Sequence, residues 1–327
     1  MKPTSVWTLV LGLAAALAAG CGARETTDPG TLRIGHFPNI THAQALVAHA
    51  MSREGRGWFE QRLGPGIRIE WFVYNAGPSA MEAIFAGSLD ATYVGPSPAL
   101  NAHLKSNGDE IRIIAGAARG GSALLVPAES PVSAPADFRG RTIATPQLGN
   151  TQDVSCRAWL VANGFHVTQM GGDVNVLPVA NPEMLLMWAQ KKLDAAWTVE
   201  PWVSILERDM GARIFLEEKD AVTTVLAVGA ALSSERPQMT AALATAHAEL
   251  TQWIADNPDE ARSLVSAELQ RETGRPVSEE IVASAWQRLR FTTDIELAPL
   301  TQFVDAAKAA GFLRDTVGLE RLIERPR

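Results

Sequence analysis

The stretch Pro78–Tyr93 is echoed later in the chain by Pro182–Trp197. In both stretches a helical pattern begins at a proline and ends before the triplet Leu-Asp-Ala, which opens an apolar run. A further apolar run precedes each copy, at Ile67–Tyr74 and at Val174–Val179, so each copy has the order strand, helix, strand. Two such units in one chain of 327 residues predict an α/β protein of two similar lobes with a ligand cleft between them.

The duplication extends upstream of these two units. A predicted strand at Leu32–Phe37 is followed by a turn and a helix, and the same order recurs from Thr142–Thr145 onward. We therefore predict a discontinuous first lobe, formed by residues 31–118 and 222–327, and a second lobe formed by residues 119–221.

Two crossings between the predicted lobes are expected, near Arg119–Ser122 and near Phe215–Thr223. Gly120 and Gly121 permit large changes of φ and ψ, so the crossings are candidates for a hinge.

The chain after the second crossing reads as one strand, Thr223–Val228, followed by helices. The predicted helices are Gln238–Ala255, Pro258–Glu268, Ser278–Leu289 and Leu297–Ala310. Asn257 and Ser278 are the expected N-caps of the second and third of these helices. We expect the later helices to return to the first lobe.

The N-terminus predicts export. A lysine precedes the apolar run Val6–Ala19, and Gly20 and Cys21 follow, which is typical of a cleaved secretory signal too short to span a bilayer comfortably. The pattern is similar to a bacterial lipoprotein signal and implies a diacylglycerol anchor on Cys21, with plain secretion as the alternative. Residues 1–20 are then the signal peptide and residues 21–30 a flexible tether, and the protein is lipid-anchored in the periplasm or at the cell surface.

Charge and cysteine content narrow the class of protein. The formal net charge is −7, and loss of the signal removes one further lysine, so the overall field does not favour nucleic acid. Cys156 is the only cysteine besides Cys21, so a chain lipidated at Cys21 has no intramolecular disulfide. With 46% hydrophobic residues, the chain can bury a substantial core. We expect the protein to be a monomer.

Helix starts carry the candidate binding groups. Ser79 and Glu82 have the spacing of a capping box, and Asn181 is a good N-cap before a proline. Further helix starts are expected at Gly95, at Gly149–Thr151 and at Glu200–Pro201. If the strands are wound as in open α/β sheets, these helix N-termini point into one crevice, where their N–H groups and dipoles favour an anion.

The loops at these positions contain neither lysine nor arginine, which favours a small monoanion over a multiply charged phosphate. Amide, hydroxyl and backbone donors suffice for a sulfonate or carboxylate head. Phe37 and Trp202 flank the turns and could form an aromatic wall, whereas Tyr93 and Trp197 alternate within strands and are expected in the core. The candidate ligand-binding residues are His36, Phe37, Asn39, Asn75, Gly77, Ser79, Gly95, Ser97, Ser122, Gln147, Gly149, Asn150, Thr151, Glu200 and Trp202.

Glu200 is the candidate residue that does not suit an anion site. It either caps its own helix or pairs with an amine on the ligand.

Catalytic chemistry is not indicated by the sequence. The six histidines show no metal-ligand spacing, and His42 and His49 are interpreted as helix-surface or core residues. Cys156 is interpreted as a structural thiol, and no dinucleotide or Walker fingerprint is present. We predict neither a catalytic residue, a metal site nor a cofactor.

Four segments carry a resemblance to a known family: Gly35–Asn39, Gly87–Ser97, Ala144–Thr151 and Ala195–Pro201. With them the chain resembles the substrate-binding proteins of ABC importers for nitrate, sulfonate and taurine. The resemblance implies a type II periplasmic-binding-protein fold that closes on a small solute and delivers it to a permease and its ATPase. The aliphatic-sulfonate and taurine branch is the most similar.

Other functions occur on the same fold. The broader family includes binders of thiamine-type pyrimidines or other small nitrogenous solutes, and pyrimidine synthases that hold their cofactor on a lysine. The predicted cleft loops contain no lysine for that role. A sensory binding protein is a further alternative.

Overall fold

The computed structural model describes residues 30–168, 171–313 and 318–325. The predicted signal peptide, Cys21 and all but the last residue of the tether lie outside these residues. Within the described ranges, no helix combines the length and the apolar character that a membrane span requires.

The described strands form two main sheets and a small ribbon. The strands are β1 (Thr31–His36), β2 (Arg68–Val73), β3 (Ala91–Val94), β4 (Ile111–Gly120), β5 (Ser122–Pro127), β6 (Thr142–Thr145), β7 (Val167–Thr168), β8 (Gly171–Gly172), β9 (Asn175–Pro178), β10 (Ala195–Val199), β11 (Ala212–Glu218), β12 (Val222–Gly229) and β13 (Leu289–Phe291). The six-stranded first sheet has the order β13-β4-β12-β3-β1-β2, and the five-stranded second sheet has the order β11-β5-β10-β6-β9. The strands β7 and β8 pair only with each other.

Both sheets follow one plan. In the first sheet β1 lies parallel between β2 and β3, and β12 pairs antiparallel with β3 and β4. In the second sheet β6 lies parallel between β9 and β10, and β5 pairs antiparallel with β10 and β11. The predicted α/β architecture of two similar lobes is therefore confirmed.

Helices cover the sheets, as parallel strands buried on both faces require. They are α1 (Ala43–Arg53), α2 (Trp58–Leu63), α3 (Gly77–Phe85), α4 (Pro96–Lys105), α5 (Thr151–Ala162), α6 (Asn181–Ala189), α7 (Trp202–Asp209), α8 (Ala230–Glu235), α9 (Pro237–Asp256), α10 (Pro258–Thr273), α11 (Glu279–Gln287) and α12 (Leu297–Ala309), with 3₁₀ turns at Ile40–His42 and Pro135–Phe138. The helices α9 and α10 pack against α1 and α2, in a core with strand residues Leu32 and Ile34.

The last long helix, α12, differs from the expectation that the later helices return to the first lobe. It packs against α5, which follows the second-sheet strand β6, and also against α4, which follows the first-sheet strand β3. Leu300 and Val304 of α12 share one apolar cluster with Val154 of α5 and Leu100 of α4.

The strand crossings lie where the two sheets meet. The chain passes from β4 to β5 through Gly121, and from β11 to β12 through residues 219–221. Gly120 and Gly121 have φ values of +77° and +69°, the left-handed region that glycine tolerates best. The Gly120 amide donates to the Ala221 carbonyl at 2.9 Å, so the two crossings are hydrogen-bonded side by side.

Some predicted helix starts are present in the structure, and others differ from prediction. Asn150 and Ser278 cap their helices by accepting from Asp153 and Ile281. Asn257 instead donates to the Trp253 carbonyl of the preceding helix. The helix predicted to begin after the Ser79 N-cap begins three residues earlier, at Gly77.

Two further boundaries have local causes. Asn181 is the first residue of α6 rather than its cap, and its side chain accepts from the Thr198 hydroxyl at 2.7 Å. The helix predicted to end at Glu268 continues to Thr273. The next residue, Gly274, has a φ of +68° and terminates the helix.

The echoed Leu-Asp-Ala triplets have a common structural role. Asp90 accepts from the Arg33 backbone amide at 2.8 Å and pairs with the Arg33 guanidinium through both carboxylate oxygens. Asp194 accepts from the Thr142 amide at 2.9 Å and pairs with Arg141. Each aspartate thus ties the strand that follows it to the neighbouring parallel strand, β1 or β6.

This role predicts that Asp90→Ala lowers the free energy of unfolding by roughly 1–3 kcal/mol, because a largely buried amide and a guanidinium both lose their acceptor. Asp90→Asn should lose less, since its amide oxygen still accepts from the Arg33 backbone. Urea denaturation measures both variants beside Asp305→Ala, an exposed control on α12. Equal stabilities for Asp90→Ala and the control would show that the triplet does not tie the strands together.

Candidate functional site

A cleft lies between the two sheets at the carboxyl ends of their parallel strands. The space between its walls that no atom fills is about 350 Å³ when the solvent at the mouth is included, but the cavity itself is only about 20 Å³. Its lining residues are Phe37, Asn39, Thr41, His42, Asn75, Ala76, Gly77, Gly95, Pro98, Pro146, Asn150, Thr151, Gln152, Val199 and Thr223. These residues follow or end β1, β2, β3, β6 and β10, apart from Thr223 near the start of β12. This is the edge at which open α/β sheets bind ligands.

The N-termini of three helices meet at this cleft. Ala76 and Gly77 begin α3, Gly95 precedes α4, and Asn150 and Thr151 begin α5. The first turns of a helix present N–H groups without intrahelical acceptors, together with the positive end of the helix dipole. Two of these helices follow first-sheet strands and one follows a second-sheet strand, so an anion in the cleft would be approached from both sides.

None of the described residues that line the cleft is Arg, Lys, Asp or Glu. Burial lowers the pKa of His42, the only lining histidine, well below its ordinary value, and the neighbouring His36 lowers it further. His42 is therefore a neutral imidazole. The positive potential of the cleft comes from helix ends rather than from cationic side chains.

His42 is a site residue that sequence reasoning missed, because it was interpreted as a surface or core residue. It ends the 3₁₀ turn Ile40–His42 and stacks on Phe37 with a centroid distance of 4.4 Å. Its buried Nδ1 has no hydrogen-bond partner among the described residues. Its place in the turn after β1, which also supplies Phe37 and Asn39, is the signal that could have identified it.

Two predicted site residues near the cleft also keep a buried polar atom without a described partner. These atoms are the Ser97 Oγ and the Gln147 Oε1. Ser97 belongs to the first turn of α4, and its backbone amide lies 3.4 Å from the Thr151 hydroxyl. A buried polar atom without a partner costs free energy, so each is a candidate to contact a solute.

The two sides of the cleft contact each other directly. The Gln147 amide donates to the Ser79 hydroxyl at 3.1 Å, and the Asn75 amide donates to the Pro146 carbonyl at 3.3 Å. At one end of the cleft, the Trp202 indole N–H donates to Asn39 Oδ1 at 2.8 Å. The structure is thus a closed arrangement, in which Ser79, Gln147 and Trp202 join the lobes without lining the cleft.

Three predicted site residues lie elsewhere. His36 points away from the cleft into a buried cluster with His49 and Glu272. Ser122 donates to the Glu218 carboxylate at 2.5 Å and accepts from the Trp197 indole. The Gly149 amide donates to the Asp153 carboxylate at 2.9 Å, so it is not free to hold a ligand.

Glu200 also lies outside the cleft lining, because its carboxylate is fully used inside the protein. It accepts from the Ser204 amide and hydroxyl at 3.0 and 2.9 Å and from Arg288 at 3.0 Å. Burial raises the pKa of Glu200 above its ordinary value, although the contacts with Ser204 and Arg288 oppose that rise. Of the two interpretations of Glu200, the structure matches the one in which it caps a helix.

The aromatic residues divide much as the sequence predicted. Tyr93 and Trp197 are buried in the core, and the Tyr93 hydroxyl contacts His247 Nδ1 at 2.9 Å. Phe37 lines the cleft. Cys156 is buried, and burial raises the pKa of its thiol well above the ordinary value, so it is poorly suited to act as a nucleophile.

Comparison with known proteins finds one matching family and relatives that are named as binding proteins for small solutes. A model of the NMT1-like family matches residues 25–269. The taurine-binding periplasmic protein of Escherichia coli (strain K12) is 26% identical over 144 residues, which cover 44% of this chain and 43% of that protein. A putative aliphatic sulfonates-binding protein of Bacillus subtilis (strain 168) is 24% identical over 264 residues, which cover 76% of this chain and 74% of that protein. The match to the taurine-binding protein therefore spans less than half of its length.

Solved structures show the same fold. The alkanesulfonate-binding protein SsuA from Xanthomonas axonopodis pv. citri, bound to MOPS, superposes with a TM-score of 0.74 at 19% identity, covering 92% of this chain and 100% of that chain. The periplasmic nitrate-binding protein NrtA from Synechocystis PCC 6803 superposes with a TM-score of 0.66 at 15% identity, covering 87% and 82%. The expected type II periplasmic-binding-protein fold is confirmed.

Proposed function

We propose, from the premise that the chain belongs to the NMT1-like family, that it is the extracytoplasmic solute-binding component of an ABC importer. It captures a small solute with a singly charged anionic head, an aliphatic sulfonate or the zwitterion taurine, and delivers it to a membrane permease and its ATPase. It acts as a monomer and performs no catalysis. Relatives named for taurine and aliphatic sulfonates support this class of ligand.

The convergence of three helix N-termini on a cleft without charged side chains carries the proposal. The positive dipole ends of α3, α4 and α5, with the backbone N–H groups that their first turns carry, suit the oxygens of a sulfonate. A doubly charged phosphate would usually be given arginine or lysine, which the described cleft lining lacks. The neutral His42 and the amide of Asn75 add uncharged polar contacts. Phe37 offers an apolar face to the carbon chain of the ligand.

Hinge closure is the proposed mechanism of capture. The crossings at Gly121 and at residues 219–221 let the lobes rotate, and the solute contacts both lobes only when they are closed. Binding therefore shifts the equilibrium toward the closed form, and the permease recognises that form.

A ligand panel on the purified chain tests the class of solute. Taurine, short alkanesulfonates and nitrate should raise the melting temperature by mass-action linkage, and calorimetry should show one site. Organic amines and neutral pyrimidines serve as controls of similar size. A response to amines or pyrimidines alone would contradict the anion proposal and favour the nitrogenous solutes bound elsewhere in the broader family.

Substitution of Gly95 tests closure. An added Cβ would lie 2.2 Å from the Thr151 hydroxyl, which belongs to the opposite lobe, while φ of −65° at Gly95 suits alanine. Gly95→Ala should weaken anion binding at least about tenfold, since only the closed form is obstructed, and should leave the melting temperature of the ligand-free protein nearly unchanged.

Gly57→Ala is the matched control outside the cleft lining, because its added Cβ would also lie 2.2 Å from a side-chain oxygen, Oε2 of Glu60. Calorimetry compares both variants with the wild type. Wild-type affinity in Gly95→Ala would show that capture does not require the close approach of Gly95 and Thr151.

We also propose that a lipid on Cys21 attaches this extracytoplasmic protein to the membrane. Cys21→Ala should abolish incorporation of a labelled fatty acid into the protein, because the variant has no thiol to receive the diacylglycerol thioether. Metabolic labelling followed by immunoprecipitation measures this change. No label in the wild type, or equal label in Cys21→Ala, would contradict the lipid anchor.

A further inference from the structure

A buried cluster in the first lobe joins residues that are far apart in sequence. His36 ends β1, His49 lies on α1 and Glu272 lies on α10. Their side chains are 0%, 7% and 1% exposed. The ring nitrogens and one carboxylate oxygen all converge within 4.8 Å of one another.

The distances within this cluster match those between the ligands of a small metal ion. His36 Nε2 lies 3.0 Å from His49 Nδ1, and Glu272 Oε1 lies 3.1 Å from the former and 3.2 Å from the latter. Tetrahedral Zn²⁺ with bonds of about 2.0–2.1 Å separates its ligand atoms by about 3.3 Å. The three ligand atoms lie slightly closer together than this, so a small outward movement of the side chains would place them around one ion.

Hydrogen bonding alone leaves Glu272 poorly satisfied. Although its Oε1 is close to both imidazoles, neither oxygen of the buried carboxylate has an aligned hydrogen-bond donor among the described residues. A buried carboxylate without a donor is costly unless a cation is present.

The neighbouring Glu268 differs in this respect. Its carboxylate pairs with Arg53 at 2.8 Å and with Arg271 at 3.3 Å, whereas the described ion pairs of Glu272 are with the two histidines only. The Glu272 carboxylate thus faces two imidazoles and no described Lys or Arg, which leaves its oxygens available to a metal ion.

We propose that His36, His49 and Glu272 bind one divalent transition-metal ion, with Zn²⁺ the best match to two imidazoles and a carboxylate. A water molecule completes the coordination. This site is independent of the anion proposal.

The ion would join three parts of the first lobe. It links the end of β1, and hence the loop that carries Phe37 and His42 into the cleft, to α1 and to the late helix α10. Trp71 stacks on His49 with a centroid distance of 5.1 Å and meets His36 edge-on, which holds both rings in place. Such packing around metal ligands fixes their orientation.

Metal titration of the full chain tests the proposal. After treatment with a chelator and dialysis, the protein should bind one equivalent of Zn²⁺ by calorimetry and elemental analysis. Co²⁺ should give the visible absorption of a tetrahedral site. Glu272→Gln, which keeps the shape of the side chain but removes its charge, should lower Zn²⁺ affinity at least about 100-fold.

His166→Gln is the control, because His166 is exposed. This substitution should leave the affinity for Zn²⁺ and the stoichiometry unchanged. Circular dichroism checks the fold of each variant. If Glu272→Gln does not fold, imidazole ¹⁵N spectra of the wild type decide, since Zn²⁺ should shift the ring nitrogens of two histidines. No Zn²⁺ binding by the wild type, unchanged affinity in folded Glu272→Gln, or no shift of two histidines would each overturn the site.

Discussion

Exchange of strands between the two sheets is the constraint on which the rest of the structure depends. The chain leaves the first sheet at β4 and enters the second as β5, then leaves the second at β11 and returns as β12. Each entering strand pairs antiparallel beside a parallel core. The two lobes therefore face each other with the carboxyl ends of their parallel strands, while only two short, adjacent crossings connect the sheets. The cleft follows from this connectivity, and so does the place of the proposed hinge.

The chemistry of the cleft follows from helix geometry more than from side-chain charge. Helices that start at Gly77, Pro96 and Thr151 bring the positive ends of their dipoles to one place, and the described lining contains no cationic side chain. Such a site distinguishes a small anion from a cation by fixed dipoles. The charged residues nearby act within the protein instead: Glu200 and Arg288 join α7 to the end of α11.

Repetition made much of the fold predictable from sequence, because the Leu-Asp-Ala triplets and the prolines in the first turns of α3 and α6 mark equivalent positions in both lobes. Loops after parallel strands were likewise predictable, and Phe37, Asn39, Asn75, Gly77, Gly95, Asn150 and Thr151 do line the cleft. The failures have tertiary causes. Side-chain direction at the end of β1 places His36 in the core and Phe37 at the cleft. The predicted end of α10 at Glu268 excluded Glu272, so the cluster with His36 and His49 could not be recognised from local spacing.

The most direct measurement is a crystal structure of the protein with an alkanesulfonate such as taurine. If helix N-termini hold the anion, the sulfonate oxygens will lie within hydrogen-bond distance of backbone N–H groups at the starts of α3, α4 and α5, with both lobes in contact with the ligand. A sulfonate paired with arginine or lysine outside the cleft, or bound to one lobe only, would contradict capture by opposed helix ends.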